Sequence, residues 1–312
     1  MTTLITGMGL VGTSFAQVAL KRGENIVFYD VAPRTDFLAA KLGRANVTVV
    51  QGDVRDLPAL VDAMRAHKAD TVMHTAGLIG AKAARPIYTG MQINVMGTIN
   101  VAEVVRLTGV KRLILVSTFG VYDRRLEGPS PIAESFPRGP GEAYGNSKTA
   151  KELMVEAYQR LYGFELIVTR LANVYGFGHF AGGSGGGEMI QNMLVAGIKG
   201  GVARIPQEQA RDFEYIYCKD LGRALDRAAT VPLREPEVIN IGTGVIVKFD
   251  ELVATAERLL PDLQVEMIPG KPPRSAKQPM VIRKAKELLG WEPEYDLEAG
   301  FKDYIEELKA LA

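Results

Sequence analysis

Short runs dominated by Val, Ile and Leu are spaced through the first two-thirds of the chain: Thr3–Thr6, Asn25–Tyr29, Val47–Val50, Thr71–His74, Leu113–Ser117 and Leu166–Thr169. None alternates apolar with polar residues. Strands that are apolar on both faces belong to a parallel sheet covered on each side by helices. The intervening segments Leu10–Arg22, Leu57–His67, Ile87–Thr108 and Ala143–Tyr162 read as those helices. In the last, Ala150, Leu153, Met154, Ala157, Tyr158 and Leu161 recur at helical spacing and form one apolar stripe. Repeated strand–helix units imply right-handed crossovers and an α/β fold with a doubly wound parallel sheet.

After about Val174 the rhythm breaks. Gly176–Gly187 reads as a loop, with glycine at 176, 178, 182, 183, 185, 186 and 187. A helix over Glu188–Gly197, a strand near Phe213–Tyr217, a helix over Asp220–Thr230 and a strand at Val238–Ile241 follow. Helices near Phe249–Leu260 and Tyr295–Leu308 flank the Pro-rich loop Pro269–Pro279. The expected division is a first domain over 1–174 and a smaller mixed α/β region over 175–312, some of whose segments return to the first domain. The length, 312 residues, fits two units at about 150 residues each, or one large one.

Charge is balanced, 37 Lys+Arg against 36 Asp+Glu. That argues against a nucleic-acid or membrane-surface partner, both of which rely on excess cations. The single cysteine, Cys218, rules out an internal disulfide framework, and His67, His74 and His179 lack metal-ligand spacing. No metal is expected. Met1 leads directly into the first strand with no basic leader, and no apolar run approaches the ~20 residues of a membrane span. The expectation is a cytoplasmic protein acting on a small molecule.

Gly7-Met8-Gly9-Leu10-Val11-Gly12 follows the first strand and opens a helix, and Asp30 ends the second strand. Glycines let a pyrophosphate approach the backbone, while a helix N-terminus supplies free N–H groups and partial positive charge. Asp30 can accept from both ribose hydroxyls and would repel a 2′-phosphate, which favours NAD over NADP. Asp53, ahead of Val54, can accept from an adenine amine or cap a helix. Thr75-Ala76-Gly77 ends the fourth strand in small residues, where a flat cofactor would lie. A Rossmann-type sheet binding NAD follows.

Tyr144-Gly145-Asn146-Ser147-Lys148 places a phenol and an ammonium on one helix face. A neighbouring cation favours phenolate and would draw the tyrosine from its usual pKa near 10 toward neutrality. That makes an acid/base for an alcohol proton. The pair follows the strand Leu113–Thr118, whose end carries Ser117 and Thr118. Either hydroxyl can reach the same substrate oxygen, since ligands bind beyond the carboxyl ends of such strands.

The chain resembles the extended short-chain dehydrogenase/reductase (SDR) family, the NAD-dependent epimerase/dehydratase group. The match runs through Thr6–Gly12, Gly52-Asp53-Val54, His74–Gly77, Asn94-Val95-Met96-Gly97-Thr98, Ser117-Thr118 with Val121-Tyr122, and Tyr144–Lys148. It continues through Arg170–Gly176, Arg211-Asp212-Phe213, Asn240-Ile241-Gly242 and Leu289-Gly290-Trp291-Glu292-Pro293. The resemblance implies that Tyr144 is the acid/base and that Lys148 holds the nicotinamide ribose. It selects Thr118 over Ser117 as the catalytic hydroxyl, leaves Ser117 beside the cofactor, and puts Asn94 at the cofactor end. It also implies a homodimer through the helices containing Met91–Val105 and Ala150–Leu161.

This chain departs from the family pattern in four places. The glycine loop is one residue shorter. Phe119-Gly120 stands where dehydratases carry Asp-Glu after the catalytic Thr. Ile268-Pro269-Gly270-Lys271 replaces the nucleotide-binding R-P-G-D, and Val281 or Ile282 replaces the aspartate before Arg283-Lys284-Ala285. Arg211 with Asn173 would hold a phosphate or carboxylate, or pair with Asp212 or Glu214. Arg274 is the candidate to stand in for the missing arginine. Phe119, Phe177, His179, Phe180, Met189 and Met193 would line an apolar mouth, and the glycine loop would order on substrate.

The preferred reading is an NAD-dependent oxidoreductase interconverting a secondary alcohol and a ketone on a small polar or sugar-acid-like substrate. The alternative is a nucleotide-sugar 4-epimerase with tightly bound NAD. A non-catalytic NAD-binding scaffold ranks last, because the Tyr/Lys pair is kept.

Overall fold

The structure is a computed structural model describing residues 1–43, 45, 47–179 and 183–310. The strands are β1 (Thr2–Thr6), β2 (Asn25–Asp30), β3 (Thr48–Gln51), β4 (Thr71–His74), β5 (Arg112–Thr118), β6 (Glu165–Leu171), β7 (Asn173–Tyr175), β8 (Val202–Pro206), β9 (Tyr215–Tyr217), β10 (Glu237–Ile241) and β11 (Gln264–Ile268). The helices are α1 (Leu10–Ala19), α2 (Thr35–Leu42), α3 (Leu57–His67), α4 (Ile87–Met91), α5 (Gly97–Thr108), α6 (Ala143–Tyr162), α7 (Gly185–Ile198), α8 (Cys218–Thr230), α9 (Phe249–Leu259), α10 (Arg283–Leu289) and α11 (Leu297–Lys309).

A seven-stranded sheet runs β10-β6-β5-β4-β1-β2-β3 with every pairing parallel. The double-sided apolar runs are explained by two cores. Ile5, Phe28, Met73, Ile114 and Ile167 face one side, against Phe15 and Ala16 of α1 and Leu221, Ala224 and Leu225 of α8. The alternate residues Leu4, Val27, Val72, Leu113 and Leu166 face the other, against Leu60 of α3, Val101 and Val105 of α5 and Val155 of α6. Each strand residue therefore removes apolar surface from water whichever way it points.

Strand β10 lies beside β6 in the large sheet, and α8 packs against α1. The remaining strands form two-stranded pairs, β7 with β9 and β8 with β11. Helix α2 and strands β7, β8 and β11 were not anticipated, because strands of three to five residues leave too short a pattern to separate from loop. The expected helix Ile87–Thr108 is interrupted by a π-helical turn at Gln92–Met96. Helix α7 begins at Gly185, inside the segment read as glycine loop. No helix among the described residues is long and apolar enough to cross a membrane.

Candidate active site

A continuous cleft of about 1140 Å³ opens beyond the carboxyl ends of the strands. One end lies at the β1–α1 turn. Gly7 has φ +89°, and a Cβ there would meet Thr75 Oγ1 at 2.8 Å and the Ala76 N at 2.9 Å. Gly9 lines the cleft, and a Cβ on it would meet nothing within 4 Å. It leaves open the space through which a pyrophosphate would pass. Gly9 also caps α1 without a side-chain hydrogen bond, so the first N–H groups of the helix stay available. Leu10 and Val11 line the cleft beside it. These features fit a bound dinucleotide.

Gly12 corrects the expectation for it. A Cβ there would sit 2.7 Å from Gly7 O and 2.9 Å from Ile5 Cγ2; this glycine lets α1 pack on β1 and does not face the cleft. Asp30 lines the cleft while its carboxylate accepts from the Met8 N–H at 2.6 Å and the Ala32 N–H at 2.8 Å. It thus braces the glycine turn as well as facing the ribose position. Asp53 receives two hydrogen bonds of 3.0 Å from Arg55 Nε, and the guanidinium holds its carboxyl below the usual range. The helix cap is Asp56, not Asp53.

Thr75, Ala76, Gly77 and Val54 line the cleft. Asn94 does not. It is buried, with Oδ1 accepting from Leu78 N at 2.7 Å and Nδ2 donating to Leu78 O at 2.9 Å and Ser147 Oγ at 3.0 Å. It supports the cleft wall from behind instead of touching a cofactor. Ser117 reaches the wall, but its hydroxyl donates to the buried Glu152, so it has no proton left to donate to a cofactor and could only accept from one.

Thr118, Tyr144 and Lys148 converge midway along the cleft. The first turn of α6 packs tightly there: a Cβ on Gly145 would lie 2.7 Å from Gly120 O. Tyr144 and Thr118 line the same stretch of the cleft, and the Thr118 hydroxyl acts to lower the phenol's pKa. Lys148 Nζ donates to Val116 O at 3.1 Å and lies 5.6 Å from the Tyr144 ring centroid. Ser117 and Thr118 both line the cleft, and the Ser117 hydroxyl is turned to Glu152. The expected lowering of the tyrosine is not found. Burial pushes the phenol up to about 12, against the lowering influence of the Thr118 hydroxyl, and pushes the Lys148 ammonium down to about 8. The reason is position: the ammonium lies toward the ring and is itself desolvated.

Beyond the trio the cleft continues between Asn173, His179, Ser184, Gly185, Arg211, Phe213, Arg274 and Lys277. Asn173 Oδ1, His179 Nδ1, Arg211 Nε and Tyr215 Oη are buried without hydrogen-bond partners. Arg211 stacks 5.0 Å from the Phe213 ring centroid. It is not bridged to its acidic neighbours: Asp212 accepts from Phe249 N, and Glu214 from Gly244 N and Met280 N. His179 Nε2 donates to Ser184 O at 2.9 Å, which leaves Nδ1 as an acceptor, and burial lowers its pKa.

Of the expected apolar mouth, Phe119 and His179 line the cleft. Met189 and Met193 are buried in the core, Phe177 packs on Phe37 with centroids 5.8 Å apart, and Phe180 lies outside the described residues. Arg124, Arg125, Glu127, Ser184 and Lys277 line the cleft but were not anticipated. The only signal for the arginines was their place just after Val121-Tyr122. Among the described residues no group of three or more His, Cys, Asp or Glu is placed to hold a metal.

Comparison with known proteins identifies the family. The family model for the NAD dependent epimerase/dehydratase family matches residues 3–242. The chain is 28% identical to a putative UDP-glucose 4-epimerase of Methanocaldococcus jannaschii, with 98% of each chain covered. It is 29% identical to a UDP-glucuronate 4-epimerase of Thermodesulfobacterium geofontis, covering 96% of this chain and 93% of that one. Among solved structures, the UDP-glucose 4-epimerase of Thermotoga maritima with UDP-glucose superposes with a TM-score of 0.86 at 26% identity, covering 100% of this chain and 99% of that one.

Proposed function

This chain belongs to the NAD-dependent epimerase/dehydratase family, and we propose that it is a 4-epimerase of nucleotide-diphosphate sugars. One observation carries the reading: the cleft runs past the catalytic trio to buried, unpartnered polar atoms of Asn173, His179 and Arg211 beside the N-terminus of α7. Buried polar atoms cost free energy until they find partners. A small hydroxy acid seated at Tyr144 would leave them bare. A diphosphate accepts from Arg211, Arg274 and the α7 N–H groups, and the Asn173 amide offers both a donor and an acceptor. The preferred sequence reading, net oxidation of a small substrate, therefore gives way to its alternative, which the relatives' own activities also favour.

NAD, when bound, supplies the acceptor and donor of the hydride. Gly7, Gly9, Leu10, Val11, Asp30, Val54, Thr75, Ala76 and Gly77 would hold it. Tyr144 takes the proton of the sugar hydroxyl and later returns it. Thr118 fixes that oxygen, and Lys148 keeps a positive charge beside the phenol. Phe119 meets Phe213 edge-on at 4.8 Å, so an aromatic wall replaces the acid of the dehydratases. Helices α5 and α6 are proposed to pair in a homodimer through their outer faces.

The test is incubation with UDP-glucose or UDP-glucuronate, with products separated and NADH followed by absorbance. Isomerised nucleotide sugar without stoichiometric NADH is the expected result. Stoichiometric NADH with an oxidised sugar would overturn it.

A further inference from the structure

Lys151 lies one helical turn beyond Lys148 on α6. It is fully buried, and its Nζ has no hydrogen-bond acceptor among carboxylates, carbonyls or hydroxyls. The mechanism derived above does not use it. The charged and titratable groups around it are Lys148 and Glu152 from its own helix and His74 from β4.

The latter two are already engaged. Glu152 accepts from Arg170 Nη2 at 2.7 Å, Arg138 Nη1 at 3.1 Å and Ser117. The His74 ring sits between Thr6 Oγ1 at 2.6 Å and Thr98 Oγ1 at 2.8 Å. Thr98 donates its proton to Asn94 O at 2.6 Å, so it accepts from His74 Nε2, and His74 Nδ1 accepts from Thr6. This imidazole is neutral and has no free lone pair for Lys151.

An ammonium buried without an acceptor is far costlier than an amine. A neutral amine also carries a lone pair, and Lys148, three residues earlier on the same buried face of α6, is the donor that helical spacing brings beside it. We propose that Lys151 is a positioning residue: its uncharged amine accepts a hydrogen bond from the Lys148 ammonium and, together with Val116 O, holds that ammonium charged and aimed at Tyr144. Two of the three Lys148 N–H bonds are then fixed by protein, and the third faces the cleft. The proposal rests on the reading of Tyr144 and Lys148 as the acid/base pair. It extends that reading to a residue two layers from the substrate.

The experiment is a pH titration of the full chain labelled at lysine Cε with ¹³C, read by NMR. Lys148→Met and Lys151→Met spectra would assign the two signals. The Lys151 signal is expected to keep the shift of a neutral amine through neutral pH, while Lys148 titrates near 8. Lys151→Met removes the acceptor, and the Lys148 midpoint should fall by about one pH unit. Lys151→Gln, whose amide oxygen can accept, should restore most of that shift; a merely structural role predicts no such rescue.

A Lys151 signal titrating at the ordinary lysine value would overturn the proposal. So would a Lys148 midpoint unmoved by Lys151→Met. If Lys151→Met does not fold, Lys151→Gln assigns the same signal, and the wild-type titration then decides the first point. The measurement needs neither substrate nor turnover, so its failure is distinguishable from failure of the epimerase assay.

Discussion

At the scale of single residues, the glycines after β7 do a different job from the one their number suggests. A run so rich in glycine reads as a loop with freedom to order on substrate. Instead, close approach accounts for most of them. A Cβ on Gly186 would lie 2.0 Å from Asn173 Nδ2, and one on Gly187 would lie 2.3 Å from His179 Cε1. Gly176, at φ +139°, would put a Cβ 2.3 Å from Cys218 Sγ. These residues let the α7 N-terminus sit directly against Asn173 and His179, so the substrate end of the cleft is built by missing side chains. Gly186→Ala should therefore displace Asn173. We expect roughly 1–3 kcal/mol of destabilisation by urea unfolding and a KM for nucleotide sugar that rises more than kcat falls. Unchanged KM with full stability would contradict this role.

At the scale of elements, α6 joins three jobs in one helix. Its first two turns carry Tyr144 and Lys148. Its third holds Lys151 and Glu152, the latter tied to Arg170 of β6 and to Arg138. Its outer face leaves Leu153, Met154 and Leu161 exposed at 42%, 40% and 76%. The sequence shows this face as an apolar stripe and cannot say whether it faces core or solvent, because helical spacing is the same for both. The structure turns Val155 inward and these residues outward. Exposed large apolar side chains on one helix face are what the proposed dimer would cover. Sedimentation of the wild type should give a dimer, and the double variant Leu153→Lys, Met154→Lys should give a folded monomer. A wild-type monomer, or an unaltered dimer in the variant, would remove this face as the interface.

At the scale of the whole molecule, buried amines and imidazoles make stability depend on pH. Burial depresses both His74 and Lys151 well below their ordinary values. The unfolded chain then binds a proton that the fold does not, so stability rises with pH between the folded and unfolded pKa values. For Lys151 this adds about 1.4 kcal/mol per pH unit up to near 10.4. Lys151→Met should be the more stable protein at neutral pH, and its advantage should shrink between about pH 8.5 and 10, as read by denaturant unfolding. A constant difference across that range would mean that Lys151 is charged in the fold. Below about pH 6.5, stability should fall as the unfolded state takes up the His74 proton. Much else was legible in the chain itself: the sheet, the glycine turn and the Tyr144–Lys148 pair depend on local spacing, and local spacing is what covalent sequence fixes. Tertiary structure alone decided that Gly12 and Asn94 back the cleft, that Ser117 serves Glu152, that Met189 and Met193 are core, and that Arg211 remains unpaired beside α7. Each of those depends on which distant residue arrives at the same point in space, and burial then sets the charge and the hydrogen bonds that remain.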